Sequence, residues 1–148
     1  MLKHANPDLN REDMALLLRQ HGITPTHQRI EIAYALFSRC EHLSADQILA
    51  SVNLRHSETS KATVYNTLKL FLEKGLIREV IVDPSKVFYD PNTTPHHHFF
   101  NVESGELIDI EADAMQLSHL PELPQGMVAE SVDIIVRIRP SQTAAQPA

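Results

Sequence analysis

SKATVYNTLKLFLEKGLIREVIVDPSKVFYD, residues 60–90, decides the fold, because one helical and two extended patterns follow each other inside it. Ser60 is a helix cap, and Val64, Leu68, Phe71 and Leu72 then recur at the spacing of a single helical face. Gly75 closes that helix. LIREVIV and KVFYD are rich in β-branched and aromatic residues, and Asp83-Pro84-Ser85 between them has turn chemistry, so they predict a hairpin. The opposite face of the helix carries Lys61, Tyr65 and Lys69, with Asn66 beside them. On a solvated helix these side chains would only keep it in water. Ahead of a hairpin they suit a major groove, where lysines meet phosphate or guanine and a tyrosine ring packs on thymine methyl groups.

Three more helices are expected upstream. Asn10 opens the first, which runs through EDMALLLRQ and stops before Gly22. Thr26 caps a second from about His27 to Ser38, with Ile30, Ala33, Tyr34 and Phe37 as its apolar face. Ser44 and Gln47 form a capping box for a third, reaching about Val52, and NLRHSET follows as a loop. Three helices, a fourth with a basic outward stripe, and a hairpin make a winged helix, assigned to residues 1–89. Candidate DNA contacts are Arg29, Ser60, Lys61, Thr63, Tyr65, Asn66 and Lys69.

Charge divides the chain as well. The net value is −6, yet residues 1–82 hold ten Lys/Arg against nine Asp/Glu, and residues 83–148 hold three against ten. The acid lies almost wholly in the second part, so the total does not exclude a nucleic-acid partner for the first. The single cysteine, Cys40, rules out an intramolecular disulfide framework, and any bound metal must use His and carboxylate. No apolar run approaches the roughly 20 residues that span a bilayer, and MLKHANPDLN lacks a signal-peptide core, so a cytoplasmic protein without a membrane partner is expected.

Beyond Asp90 the pattern becomes extended. FFNVE and ELIDI flank Ser104-Gly105, which predicts a two-residue hairpin turn with Glu103 facing Glu106, Phe100 facing Asp109 and His98 facing Glu111. SVDIIVRIR predicts a further strand, EADAMQLSHL a turn or two of helix, and PSQTAAQPA a disordered tail at 140–148. Residues 90–139 thus form a small α/β domain that buries too little surface alone and is expected to dimerise. The overall class is α+β.

DPNTTPHHH, residues 90–98, places three consecutive histidines after a proline-braced loop. Alternation in a strand puts His96 and His98 on one face and His97 on the other. Asp109 lies diagonal to His98 on the same face, and Asp90 can return across the loop as a second carboxylate. Imidazoles with carboxylates and no thiolate suit Fe(II), Mn(II) or Zn(II). A solvated loop is the plain alternative.

GITPTHQRIEIAYAL, HLSADQI, SKATVYNTLKLFLEKGLI, the hairpin and HHHFFNVESGELIDI together resemble the ferric uptake regulator superfamily of metal-responsive repressors, over about residues 10–139. The resemblance implies a homodimer whose winged helices read an AT-rich palindromic operator in double-stranded DNA. It also implies regulatory metal ligands at His42, Asp90, His96, His98 and Asp109. Many members hold a structural zinc with two CxxC pairs; here the first pair is replaced by Asn101 and Ser104, and the second is absent. The ending LPELPQGMVAESVDIIVRIR resembles the iron response regulator branch, which implies control of iron and haem homeostasis genes and a haem contact at His96, His97 or His98. Two other readings of the cluster are a peroxide-sensing repressor and, from a different class, a His/Asp metalloenzyme, for which no dedicated general base is visible.

Overall fold

The computed structural model describes residues 8–39, 42–54 and 59–142. Cys40, most of the NLRHSET loop and residues 143–148 of the tail lie outside the described residues. The chain divides into two compact units, Met1–Thr93 and Thr94–Ala148.

In the first unit, helices α1 (Arg11–Gln20), α2 (His27–Phe37), α3 (Ala45–Asn53) and α4 (Lys61–Glu73) precede strands β1 (Arg78–Asp83) and β2 (Lys86–Asp90). Each helix starts at the residue whose side chain can replace a missing backbone partner. Asn10 and Asp13 form a capping box, as do Ser44 and Gln47, while Thr26 and Ser60 accept from the backbone N–H groups of Arg29 and Thr63. Gly22 and Gly75, just past α1 and α4, adopt φ of +72°, a conformation that favours glycine.

The core is made by Leu18, Ile32, Leu36, Ile48, Val64, Leu68 and Phe71, all fully buried. Two expected faces need correction. In α2, Ile30 and Tyr34 are only half-buried, whereas Ile32, Ala35 and Leu36 are buried. This helix packs against α1, α3 and α4, so more than one stripe is covered. In α4, Leu72 is half-buried and Thr67 is buried instead.

Glu31 is also buried on α2, at 5% exposure. Arg11 of α1 answers it with a bidentate pair of hydrogen bonds, Nε to Oε1 at 2.5 Å and Nη2 to Oε2 at 3.1 Å. The hydrogen bond to Glu31 also holds the Arg11 guanidinium above its ordinary pKa. Its Cζ lies 4.5 Å from the centre of the Tyr34 ring. A single arginine therefore fastens α1 to α2 through charge and stacking together.

The second unit is a three-stranded sheet of order β4-β3-β5, with β3 His97–Asn101, β4 Leu107–Ile110 and β5 Ile135–Ile138. β3 and β4 are antiparallel, while β3 and β5 are parallel. The β3–β4 register differs from the expected one by two residues: His98 faces Asp109 and Phe100 faces Leu107. Asn101 is the reason. Its Oδ1 accepts the N–H groups of Glu103 (3.0 Å) and Ser104 (3.1 Å), its carbonyl accepts from Gly105 (2.8 Å), and its own N–H donates to the Glu106 carbonyl (2.9 Å). Those bonds stabilise a loop over 102–105, ending at Gly105 with φ of +78°. The expected register would also have set Glu103 directly against Glu106, two like charges. EADAMQLSHL does not form a helix: a single turn closes from Ala114 N–H to the Glu111 carbonyl, and no helix forms between Thr94 and Arg139.

Candidate metal centre and nucleic-acid interface

A slip of two residues leaves every side chain on its own face of the sheet. Asp109 therefore still shares a face with His98, but now stands directly opposite it. His96, just before β3, points to the same carboxylate: its Nε2 lies 3.1 Å from Asp109 Oδ1, and that of His98 lies 3.2 Å from the same oxygen. The two rings are 4.4 Å apart between centres. Both histidines are buried, while Asp109 is 44% exposed.

His96 carries a further sign of a ligand. Its Nδ1 lies 2.6 Å from the Thr94 carbonyl, which can only accept, so Nδ1 holds the proton. A neutral ring then presents its lone pair at Nε2, toward Asp109. Two imidazole nitrogens and a carboxylate oxygen meeting at one place suit a cation, and the backbone bond at Nδ1 is the usual support of a metal-bound histidine.

In the first unit, a second imidazole–carboxylate pair comes from an isolated bridge. Tyr89 N–H donates to the Leu43 carbonyl at 2.8 Å, and Leu43 N–H returns to Tyr89 at 3.4 Å. Antiparallel pairing of residues 43 and 89 sets 42 beside 90, and His42 Nε2 lies 3.1 Å from Asp90 Oδ2. The other Asp90 oxygen accepts the Asn92 N–H at 2.9 Å, so the carboxylate is held from both sides. Sequence reasoning from the residues alone found no reason to select His42. The bridge that places it pairs segments separated by two helices and a strand, and no local pattern announces it.

His97 points away from this group. Its Nδ1 accepts the backbone N–H of Ile134 at 3.1 Å. Asn101 and Ser104, which stand where many members of the resembled superfamily carry a zinc-binding cysteine pair, are spent on the β3–β4 loop, where Ser104 Oγ also accepts the Glu106 N–H.

On α4, Lys61, Tyr65, Asn66 and Lys69 are exposed, with Tyr65 at 45%. Lys61 Nζ stands 5.8 Å from the centre of the Tyr65 ring and 3.5 Å from Asp46 Oδ1 of α3. Ser60 and Thr63 are engaged with each other at the cap, Oγ to Oγ1 at 2.9 Å. Arg29 is half-buried, and its guanidinium donates to the Thr24 carbonyl at 2.9 Å.

The model of the Ferric uptake regulator family matches residues 20–135. The chain belongs to the ferric uptake regulator family. It is 33% identical over 116 residues to the peroxide-responsive repressor PerR of Staphylococcus aureus strain Mu50, covering 78% of this chain and 77% of that one. Its fold is similar to that of the Vibrio cholerae ferric uptake regulator, with TM-score 0.66 and 20% identity over 84% of this chain and 98% of the other. A zinc-bound manganese uptake regulator aligns with TM-score 0.63 and 20% identity over 86% and 98% of the two chains. The mixed helix-and-strand architecture is thus the family's. This ferric uptake regulator family chain is a metal-responsive regulator, and its relatives named here are regulators and not enzymes, so the hydrolytic reading of the cluster is set aside. Among the described residues, no helix is long and apolar enough to cross a membrane.

Proposed function

We propose that this chain is a cytoplasmic, homodimeric repressor that holds one divalent ion, Fe(II), Mn(II) or Zn(II), with His42, Asp90, His96, His98 and Asp109, and reads an AT-rich palindrome through α4. The observation that carries the metal reading is the convergence of His96 and His98 on one oxygen of Asp109. The ion would supply positive charge that draws imidazoles and carboxylates into one fixed arrangement. Lys61, Tyr65, Asn66 and Lys69 form the reading face, with Arg29, Ser60 and Thr63 at its margin. At the level of physiology we assign the chain to control of iron and haem homeostasis genes, the role implied by its resemblance to the iron response regulator branch.

Two measurements test this reading. Titration with Mn(II) of the wild type and of a variant carrying His96→Ala and His98→Ala should show binding lost in the variant; unchanged stoichiometry and affinity would refute the ligand set. Tyr65→Ala should weaken binding to a specific palindrome by about 1–3 kcal/mol and leave nonspecific binding nearly intact. Comparing that binding with Mn(II), Fe(II) and haem present identifies the effector.

A peroxide-sensing reading is favoured by one observation, the 33% identity to a peroxide-responsive repressor. In that case Fe(II)-loaded protein treated with peroxide gains one oxygen on a histidine, visible by mass spectrometry.

A further inference from the structure

The strand that enters the sheet beside β3 has nothing local to set its register. β3 and β5 are parallel, so no tight turn joins them, and the chain from Glu111 to Ile134 contains no helix or strand. Nor does burial specify the pairing: Ile135, Val136 and Ile138 are all half-buried, without the alternation that makes a one-residue slip costly. Yet Ile134 is gripped on both sides by the histidine triplet. Its carbonyl accepts the His98 N–H at 3.2 Å, and its N–H donates to His97 Nδ1 at 3.1 Å.

We propose that His97 is the clasp that sets the register of β5, and that it can serve as clasp or as metal ligand but never as both. A neutral imidazole has one N–H and one lone pair. The lone pair of His97 lies on Nδ1 and is used by Ile134, so its proton sits on Nε2. A metal centre, whether a simple ion or a porphyrin iron, needs that lone pair. Ligation at Nδ1 displaces Ile134 directly. Ligation at Nε2 moves the proton to Nδ1, where it faces the Ile134 N–H, donor against donor. His96 is the contrast within the same triplet: its Nδ1 faces a carbonyl, which puts its lone pair on Nε2, toward Asp109. The division of labour in the triplet therefore follows from the backbone atom each ring meets, and any centre that captures His97 releases the Ile134 N–H and leaves β5 to its backbone bonds with β3. The clasp itself does not depend on the metal reading above.

The test is residue-resolved amide exchange at Ile134 in the full chain. Asparagine places its Oδ1 close to the position of Nδ1, and glutamine reaches instead toward Nε2. His97→Ala and His97→Gln should speed Ile134 exchange by about tenfold, the loss of one hydrogen bond, while His97→Asn restores protection. Wild-type exchange retained in His97→Ala, or protection restored by glutamine and not by asparagine, overturns the clasp. Haem is then added with the Soret band and Ile134 exchange followed together. A band indifferent to His97→Asn with Ile134 still protected supports the proposal, as does a His97-dependent band accompanied by lost protection. A His97-dependent band with Ile134 still protected overturns it.

Discussion

The two units of this chain bury apolar surface to very different extents. Among the described residues, Met1–Thr93 contains a continuous core from Met14 on α1 to Tyr89 on β2. In Thr94–Ala148 the buried hydrophobic residues are Phe100, Leu107 and Ile110, while Leu117, Leu120, Leu123, Met127, Val128 and Val132 are exposed. The first unit can draw its stability from its own packing. The second buries little apolar surface of its own, and the second copy and the ion proposed above would supply what it lacks.

Core truncations give the largest expected effect. Phe71→Ala in the first unit should cost about 3–5 kcal/mol, by cavity formation at a fully buried site, with a denaturation midpoint independent of protein concentration. Phe100→Ala should instead show a midpoint that rises with protein concentration, because association supplies the missing burial. Concentration independence in both would break the contrast between the units.

A divalent ion sharpens the contrast from the other side. At about a hundredfold excess over its dissociation constant, Mn(II) should stabilise the wild type by roughly 2.7 kcal/mol, read as a shift in the denaturation curve. His98→Ala should abolish that shift. A shift preserved in the variant would remove His98 from the ligand set.

Arg11→Ala should cost about 2 kcal/mol, because Glu31 keeps its buried position without its bidentate partner, and Arg11 is itself 41% exposed and so partly screened. Adding Glu31→Gln should recover part of the loss. A null result would mean that α1 is held by Met14 and Leu18 alone.

Asn101→Ala should give the smallest change, about 1 kcal/mol, through loss of the two hydrogen bonds that shape the loop over 102–105. Because that loop sets Asp109 against His98, the same variant should weaken Mn(II) binding. Unaltered metal affinity would show that strand pairing alone fixes the register.

Local chemistry made much of this molecule legible from its residues. The caps at Asn10, Thr26, Ser44 and Ser60, the glycine stops, the α4 stripe and the β1–β2 hairpin each depend on side chains within a few positions of one another. The shared face of His96, His98 and Asp109 was legible for a related reason: strand periodicity is two, and the misplaced turn shifted the register by an even number. Tertiary structure alone decided the rest. Glu31 is buried because α2 meets three other helices and Arg11 reaches across from α1. His42 meets Asp90 because Leu43 bridges to Tyr89, and His97 is committed to Ile134 because β5 returns beside β3 from far along the chain. Such pairings are set by which backbone groups the folded chain brings within about 3 Å of one another, and hydrogen bonds at that range leave no periodic trace in a sequence.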